Sequence, residues 1–123
     1  MINHVLGDPR PMMKGMFIIQ PIQHVENLDQ IPAEQMANLG PLVLLVSKFL
    51  REELHPIRIY FCSFGEDVRH IHFLVLPRDK SMPANGRRVL QEVIEEKLWT
   101  CDVEEAEYLA GLLKTYLTEN MVN

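Results

Sequence analysis

Two histidines with one residue between them, His70 and His72, stand in the run HIHFLVLPR at 70–78 and form the only histidine pair of this spacing in the chain. In an extended segment, side chains two apart project to the same face, so both imidazoles can act on one bound group. Such a pair can supply two metal ligands, a nucleophile with a neighbour that fixes its tautomer, or simply polar filling for a sheet face. The other histidines, His4, His24 and His55, are scattered along the sequence.

Apolar periodicity shows which elements must position this pair. Ile71, Phe73 and Val75 alternate with His70, His72, Leu74 and Leu76, which predicts a strand over 68–76 with the histidines on one face. Before it, Ile57, Ile59 and Phe61 alternate with Arg58, Tyr60 and Cys62, and the polar turn Gly65-Glu66-Asp67 predicts an antiparallel hairpin between the two runs. Residues 2–6 read as a short strand closed by Gly7, Asp8, Pro9 and Pro11, and 16–22 as a strand limited by Pro21.

Asp29 and Pro32 lead into a helix over 33–54, in which Met36, Leu39, Val43, Val46 and Leu50 recur at spacings of three and four. Gly40-Pro41 predicts a kink or break within it, because proline removes a backbone donor. His55-Pro56 predicts its end, since the residue before a proline is driven out of the helical region. Two more helices are expected at 87–99, with the stripe Leu90, Ile94 and Leu98, and at 103–117, with Leu109, Leu112, Leu113 and Tyr116. Trp99, Tyr108 and Tyr116 read as packing residues with a polar handle, and the acids at 95–96 and 102–107 as a solvated face near a helix start.

Composition bounds what the site can serve. A chain of 123 residues is the size of one domain with one core, and one domain over 1–123 is expected. Seventeen acids against twelve bases, a net charge of -5, oppose general attraction to nucleic acid or anionic membranes. The longest apolar stretch, 41–46 with Phe49 and Leu50, falls far short of the roughly 20 residues that span a bilayer. The start MINHVLGDPRP has no secretory pattern, so a cytoplasmic location is expected, with Cys62 and Cys101 as reduced thiols outside any CxxC pair.

The run HIHFLVLPR resembles the signature of the histidine triad (HIT) family, three histidines alternating with apolar residues ahead of Pro-Arg. Pro77 and Arg78 set the register: His70 and His72 take the first two triad places and Leu74 the third. GEDVR at 65–69 is similar to the family's approach to the triad. Asp8, Pro11 and Gly15 match its (Asp/Asn)xxPxxxG, and FIIQPIQHVENLDQI at 17–31 resembles its strand, its turn with a histidine at His24, and the lead into its long helix. The family-like core runs over 2–78, with 87–117 as a C-terminal helical extension.

The resemblance implies an α+β fold, an antiparallel sheet with one long helix packed on it, joined here by the two C-terminal helices. It also implies a homodimer whose sheets continue across the interface. Family members hydrolyse or transfer nucleoside phosphates at the α-phosphorus, so the expected partner is a nucleoside phosphate or related phosphate ester, with no cofactor and no metal. His72 would be the nucleophile and His70 would hold its tautomer. Asp8 falls where the family binds ribose, and His24 at a structural hydrogen-bonding place.

The departures imply altered or weakened chemistry. Leu74 has no proton for a leaving group, Met16 stands where a further active-site histidine is common, and Glu66 and Asp67 replace phosphate-binding Gln and Ser or Thr. The hairpin and helix that open the family fold are expected to be absent or shortened, which affects part of the base pocket. The alternatives are a binding module that kept the fold and lost turnover, or a metal protein using His70 and His72 with Asp67 or Glu66.

Overall fold

The computed structural model describes residues 2–4, 12–64, 69–80, 88, 91, 100–101 and 103–121. Its strands are β1 (Ile2–His4), β2 (Met12–Met13), β3 (Phe17–Ile19), β4 (Arg58–Cys62), β5 (Phe73–Arg78) and β6 (Thr100–Cys101), and its two long helices are α1 (Ala33–Leu54) and α2 (Val103–Asn120). Four strands form one antiparallel sheet in the order β1-β3-β5-β4, and β2 pairs antiparallel with β6. The architecture is α+β, an antiparallel sheet carrying a long helix, as the resemblance implied.

Helix α1 spans the residues that the apolar period predicts. Its start is held by the Pro32 carbonyl, which accepts from the backbone N–H of Gln35 and of Met36 at 3.0 Å each. Just upstream, Leu28–Gln30 forms a 3-10 turn in which the Gln30 side chain accepts from the Asn27 backbone N–H at 3.0 Å. Of the kink or break expected at Gly40-Pro41, a break does not occur: one helix runs from Ala33 to Leu54 with Pro41 inside it. Ala37, Gly40 and Pro41 all lie on its exposed side, where a carbonyl that loses its intrahelical donor can turn to water. At the other end His55 adopts a left-handed conformation (φ 50°) and its N–H still closes on the Arg51 carbonyl at 3.1 Å. The proline that follows thus stops the helix as expected, with a left-handed cap in place of glycine.

One apolar core lies between the sheet and the helices. Phe17 and Ile19 of β3, and Phe73 and Val75 of β5 with Ile71 before it, pack on Val46, Phe49 and Leu50 of α1 and on Leu109 and Leu113 of α2. Phe49 sits at the junction: its ring meets Phe17 edge-on at 6.4 Å and tilts against Tyr116 of α2 at 5.7 Å. Tyr116 is therefore the packing residue expected of it, whereas Tyr108 is 68% exposed on α2. Trp99 lies outside the described residues, and of the predicted helix over 87–99 only Arg88 and Gln91 are described, both helical. Among the described residues no helix is long and apolar enough to cross a membrane.

The expected hairpin needs correction. Strand β5 begins at Phe73 rather than at residue 68, and its register pairs Cys62 with Leu74 and Arg58 with Arg78. The backbone just before it is used elsewhere: the Ile71 N–H donates to the Val25 carbonyl at 2.8 Å, and the His72 carbonyl accepts from the Ser63 hydroxyl at 2.6 Å. One donor and one acceptor of this segment are thus engaged by a loop carbonyl and a side-chain hydroxyl in place of a strand ladder.

Candidate functional site

Both histidines of the pair sit in the approach to β5, where the alternation continues although the regular ladder has not begun. Ile71, Phe73 and Val75 are buried toward α1, while His70, His72 and Leu74 are half-buried on the opposite face. Phe61 stacks on Phe73, ring centroids 5.4 Å apart, which places Phe61 on the α1 side and leaves Cys62, by alternation, on the histidine side.

The geometry assigns a tautomer to each ring. His72 Nδ1 lies 3.0 Å from the carbonyl oxygen of His70, and His70 Nε2 lies 3.2 Å from the carbonyl oxygen of Pro21. A carbonyl only accepts, so His72 carries its proton on Nδ1 and His70 on Nε2. The lone pair of His72 then lies on Nε2, on the far side of the ring, which has no hydrogen-bond partner among the described residues. The His70 group that meets the His72 ring is its main-chain carbonyl.

His24 belongs to the same cluster. Its ring stacks on that of His70 with centroids 5.0 Å apart and planes 15° apart. Ser63, immediately after β4, pins the His72 backbone from the other side. The motif match marked His24 as structural, but no sequence signal pointed to Ser63 or to the Val25 carbonyl, because neither belongs to a motif or an apolar period.

The other sequence-predicted residues divide into two groups. Met16 is 7% exposed and lies just before β3. It follows Gly15, which has φ 80° and where a Cβ would come within 2.6 Å of Leu54 Cδ1 and 3.0 Å of Pro77 Cγ. Leu74 is flanked across the sheet by Ile18 of β3 and Cys62 of β4, so the third triad place is apolar on one side and thiol-lined on the other. Cys62 is a free thiol whose pKa is pushed up by burial, which keeps it protonated. Asp8, Glu66 and Asp67 lie outside the described residues. Among the described residues, no three His, Cys, Asp or Glu side chains converge where they could hold a metal ion.

Sheet, helix and histidine cluster together define a class of protein that the comparisons identify. The HIT domain family model matches residues 4–81, more than half of the chain, and the chain belongs to the HIT family. Its fold is similar to that of a HIT-like protein involved in cell-cycle regulation from Bartonella henselae, solved with an unknown ligand (18% identity, 87% of this chain and 74% of that chain covered, TM-score 0.61). A Zn-bound histidine triad family protein from Mycobacterium smegmatis is similar at 22% identity, covering 89% of this chain and 73% of that one, with a TM-score of 0.59. A hypothetical histidine triad nucleotide-binding protein from Sulfolobus tokodaii gives 18% identity, 89% and 73% coverage and a TM-score of 0.62. No curated protein matches the chain.

Proposed function

We propose that this HIT-family chain is a hydrolase or nucleotidyl transferase of nucleoside phosphates, acting at the α-phosphorus through His72, slow or directed at an altered phosphate ester. The observation that carries the reading is the Nδ1 contact from His72 to the His70 carbonyl at 3.0 Å. With that proton committed, Nε2 offers its lone pair to phosphorus, the bond from phosphorus to the leaving group breaks, and water then cleaves the nucleotidyl-histidine. Two modest displacements replace one difficult one. Asp8, Glu66, Asp67, Leu74 and Met16 belong to the substrate side of the same proposal.

A second reading is favoured by Leu74. With Ile18 and Cys62 beside it and no imidazole of its own, the third triad place suits a binding module that holds a nucleotide without turning it over. Cytoplasmic residence and a homodimer formed along the outer strand β4 complete the proposal. They are supported by the free Cys62 thiol and by the exposure of Leu44, Ile57, Phe61 and Phe64.

Incubation with adenosine 5′-phosphoramidate and with dinucleoside polyphosphates, followed by intact-mass analysis, separates these readings. A nucleotidyl adduct on the wild type that is missing from His72→Ala supports the enzyme. Nucleotide binding without adduct or turnover supports the module. Wild-type turnover in His72→Ala overturns the histidine mechanism.

A further inference from the structure

His70 is held in an unusual way. Its Nε2 donates to the Pro21 carbonyl at 3.2 Å, but its Nδ1 is buried and has no hydrogen-bond partner among the described residues. Histidines that orient a reactive group are commonly tied through both ring nitrogens, which fixes the ring plane as well as the tautomer. Here one hydrogen bond restrains the ring, and rotation about that bond is opposed by the stack against His24, 5.0 Å away and within 15° of parallel.

The placement of His24 is itself determined by the chain. The loop after β3 crosses the segment 70–72 and is tied to it twice, by the His70 side chain at the Pro21 carbonyl and by the Ile71 N–H at the Val25 carbonyl, 2.8 Å. His24 lies between those two ties, so its ring is delivered to the face of His70 by a side-chain bond on one side and a main-chain bond on the other. On the far side of His70, its carbonyl accepts the Nδ1 proton of His72 at 3.0 Å. Loop, stacked rings and reactive imidazole form one continuous chain of contacts.

We infer that His24 is a positioning residue: by stacking on His70 it holds the ring and main chain of that residue in the orientation that keeps the His72 proton on Nδ1. The stack supplies what the empty Nδ1 of His70 does not. What the position needs is a flat ring, and a phenyl ring meets that need without any proton chemistry. His24 touches no reacting atom in this scheme. The inference rests on the proposed role of His72 only for its effect on rate; the tautomers exist whether or not the chain turns anything over.

The test uses the full chain labelled with nitrogen-15, with long-range correlation spectra of the imidazoles to read the tautomers of His70 and His72. Wild type should show His72 protonated on Nδ1 and His70 on Nε2. His24→Ala and His24→Gln should each blur the His72 signature into a mixture of tautomers and slow nucleotidyl-adduct formation by about tenfold, less than the roughly hundred-fold that misplacing a reacting group can cost. His24→Phe should restore both. Unchanged His70 and His72 tautomers in folded His24→Ala or His24→Gln overturn the inference, and so does a His24→Phe variant as disturbed as His24→Ala. If no wild-type adduct forms but the tautomers shift as expected, the catalytic reading fails and the positioning role stands.

Discussion

Cys62 is the Cα partner of Leu74 across the β4–β5 ladder, so a protonated thiol stands beside the place where the triad would put its third imidazole. Direct cross-strand neighbours have Cβ atoms about 4.5–5.5 Å apart, close enough for a new side chain at 74 to share the space into which Cys62 projects. Leu74→His should therefore place an imidazole next to the leaving group of a substrate on His72. The rate gain should reach about a hundred-fold for poor leaving groups such as amines and stay small for good ones, which need no proton. Steady-state rates across a leaving-group series check this; a gain confined to good leaving groups counts against the assignment of position 74.

Burial of Cys62 makes a prediction about pH. Desolvation disfavours the thiolate and raises the pKa above the ordinary thiol value, so the folded chain resists the deprotonation that the unfolded chain allows. This contribution to stability is present in full below the unfolded thiol pKa of about 8.5 and is lost as pH rises through the raised value. Denaturant midpoints measured from neutral to alkaline pH should fall more steeply for wild type than for Cys62→Ala. Iodoacetamide should also modify Cys62 with a midpoint on the alkaline side of free cysteine, and a midpoint at or below that of free cysteine would contradict the burial argument.

Gly15 is the glycine of the family-like (Asp/Asn)xxPxxxG, and the structure gives its physical reason. Its φ of 80° is left-handed, and an added Cβ would meet Leu54 Cδ1 at 2.6 Å, Pro77 Cγ at 3.0 Å and Leu50 Cδ2 at 3.2 Å. Backbone strain and overpacking together should cost Gly15→Ala about 2–4 kcal/mol. Gly111, inside α2 with nothing within 4 Å of its would-be Cβ, is the contrast: Gly111→Ala should stabilise by about 0.5–1 kcal/mol. Urea unfolding of both variants reads the difference, and equal effects would refute the close-packing account of Gly15.

The parts of this fold that were legible in the sequence are those written in local patterns. Helix α1 was bounded by Pro32 and His55-Pro56, and the two faces of 70–75 followed from alternation alone. The parts that were not legible depend on partners distant in the chain. Ahead of strand β5, the Ile71 N–H bonds to the Val25 carbonyl and the His72 carbonyl accepts from Ser63. The β2–β6 ladder joins Met12–Met13 to Thr100–Cys101, pieces too short to show any period. Leu74 stands at the third place of the triad pattern in the sequence itself, but its cross-strand neighbour Cys62 needed the register.

Strand β4 forms one edge of the sheet and β1 the other. Ile57 is 48% exposed and Phe61 46%, with Phe64 at 57% just past the strand and Leu44 at 55% on α1. An exposed edge strand with apolar side chains is a template for pairing with another chain unless something covers it, and a second copy of this strand, meeting it antiparallel across a two-fold axis, would satisfy both edges at once. Sedimentation at micromolar concentration should find a dimer. Ile57→Lys, which places a charge at the edge and leaves the Phe61–Phe73 stack intact, should raise the dimer dissociation constant by about ten- to a hundred-fold, the range expected for about 1.4–2.8 kcal/mol of lost interface. Phe61→Lys should weaken association further but also lower the unfolding midpoint, because Phe61 stacks on the core residue Phe73 at 5.4 Å. A wild-type chain that sediments as a monomer at all concentrations, or an Ile57→Lys dimer as tight as wild type, would remove β4 as the interface.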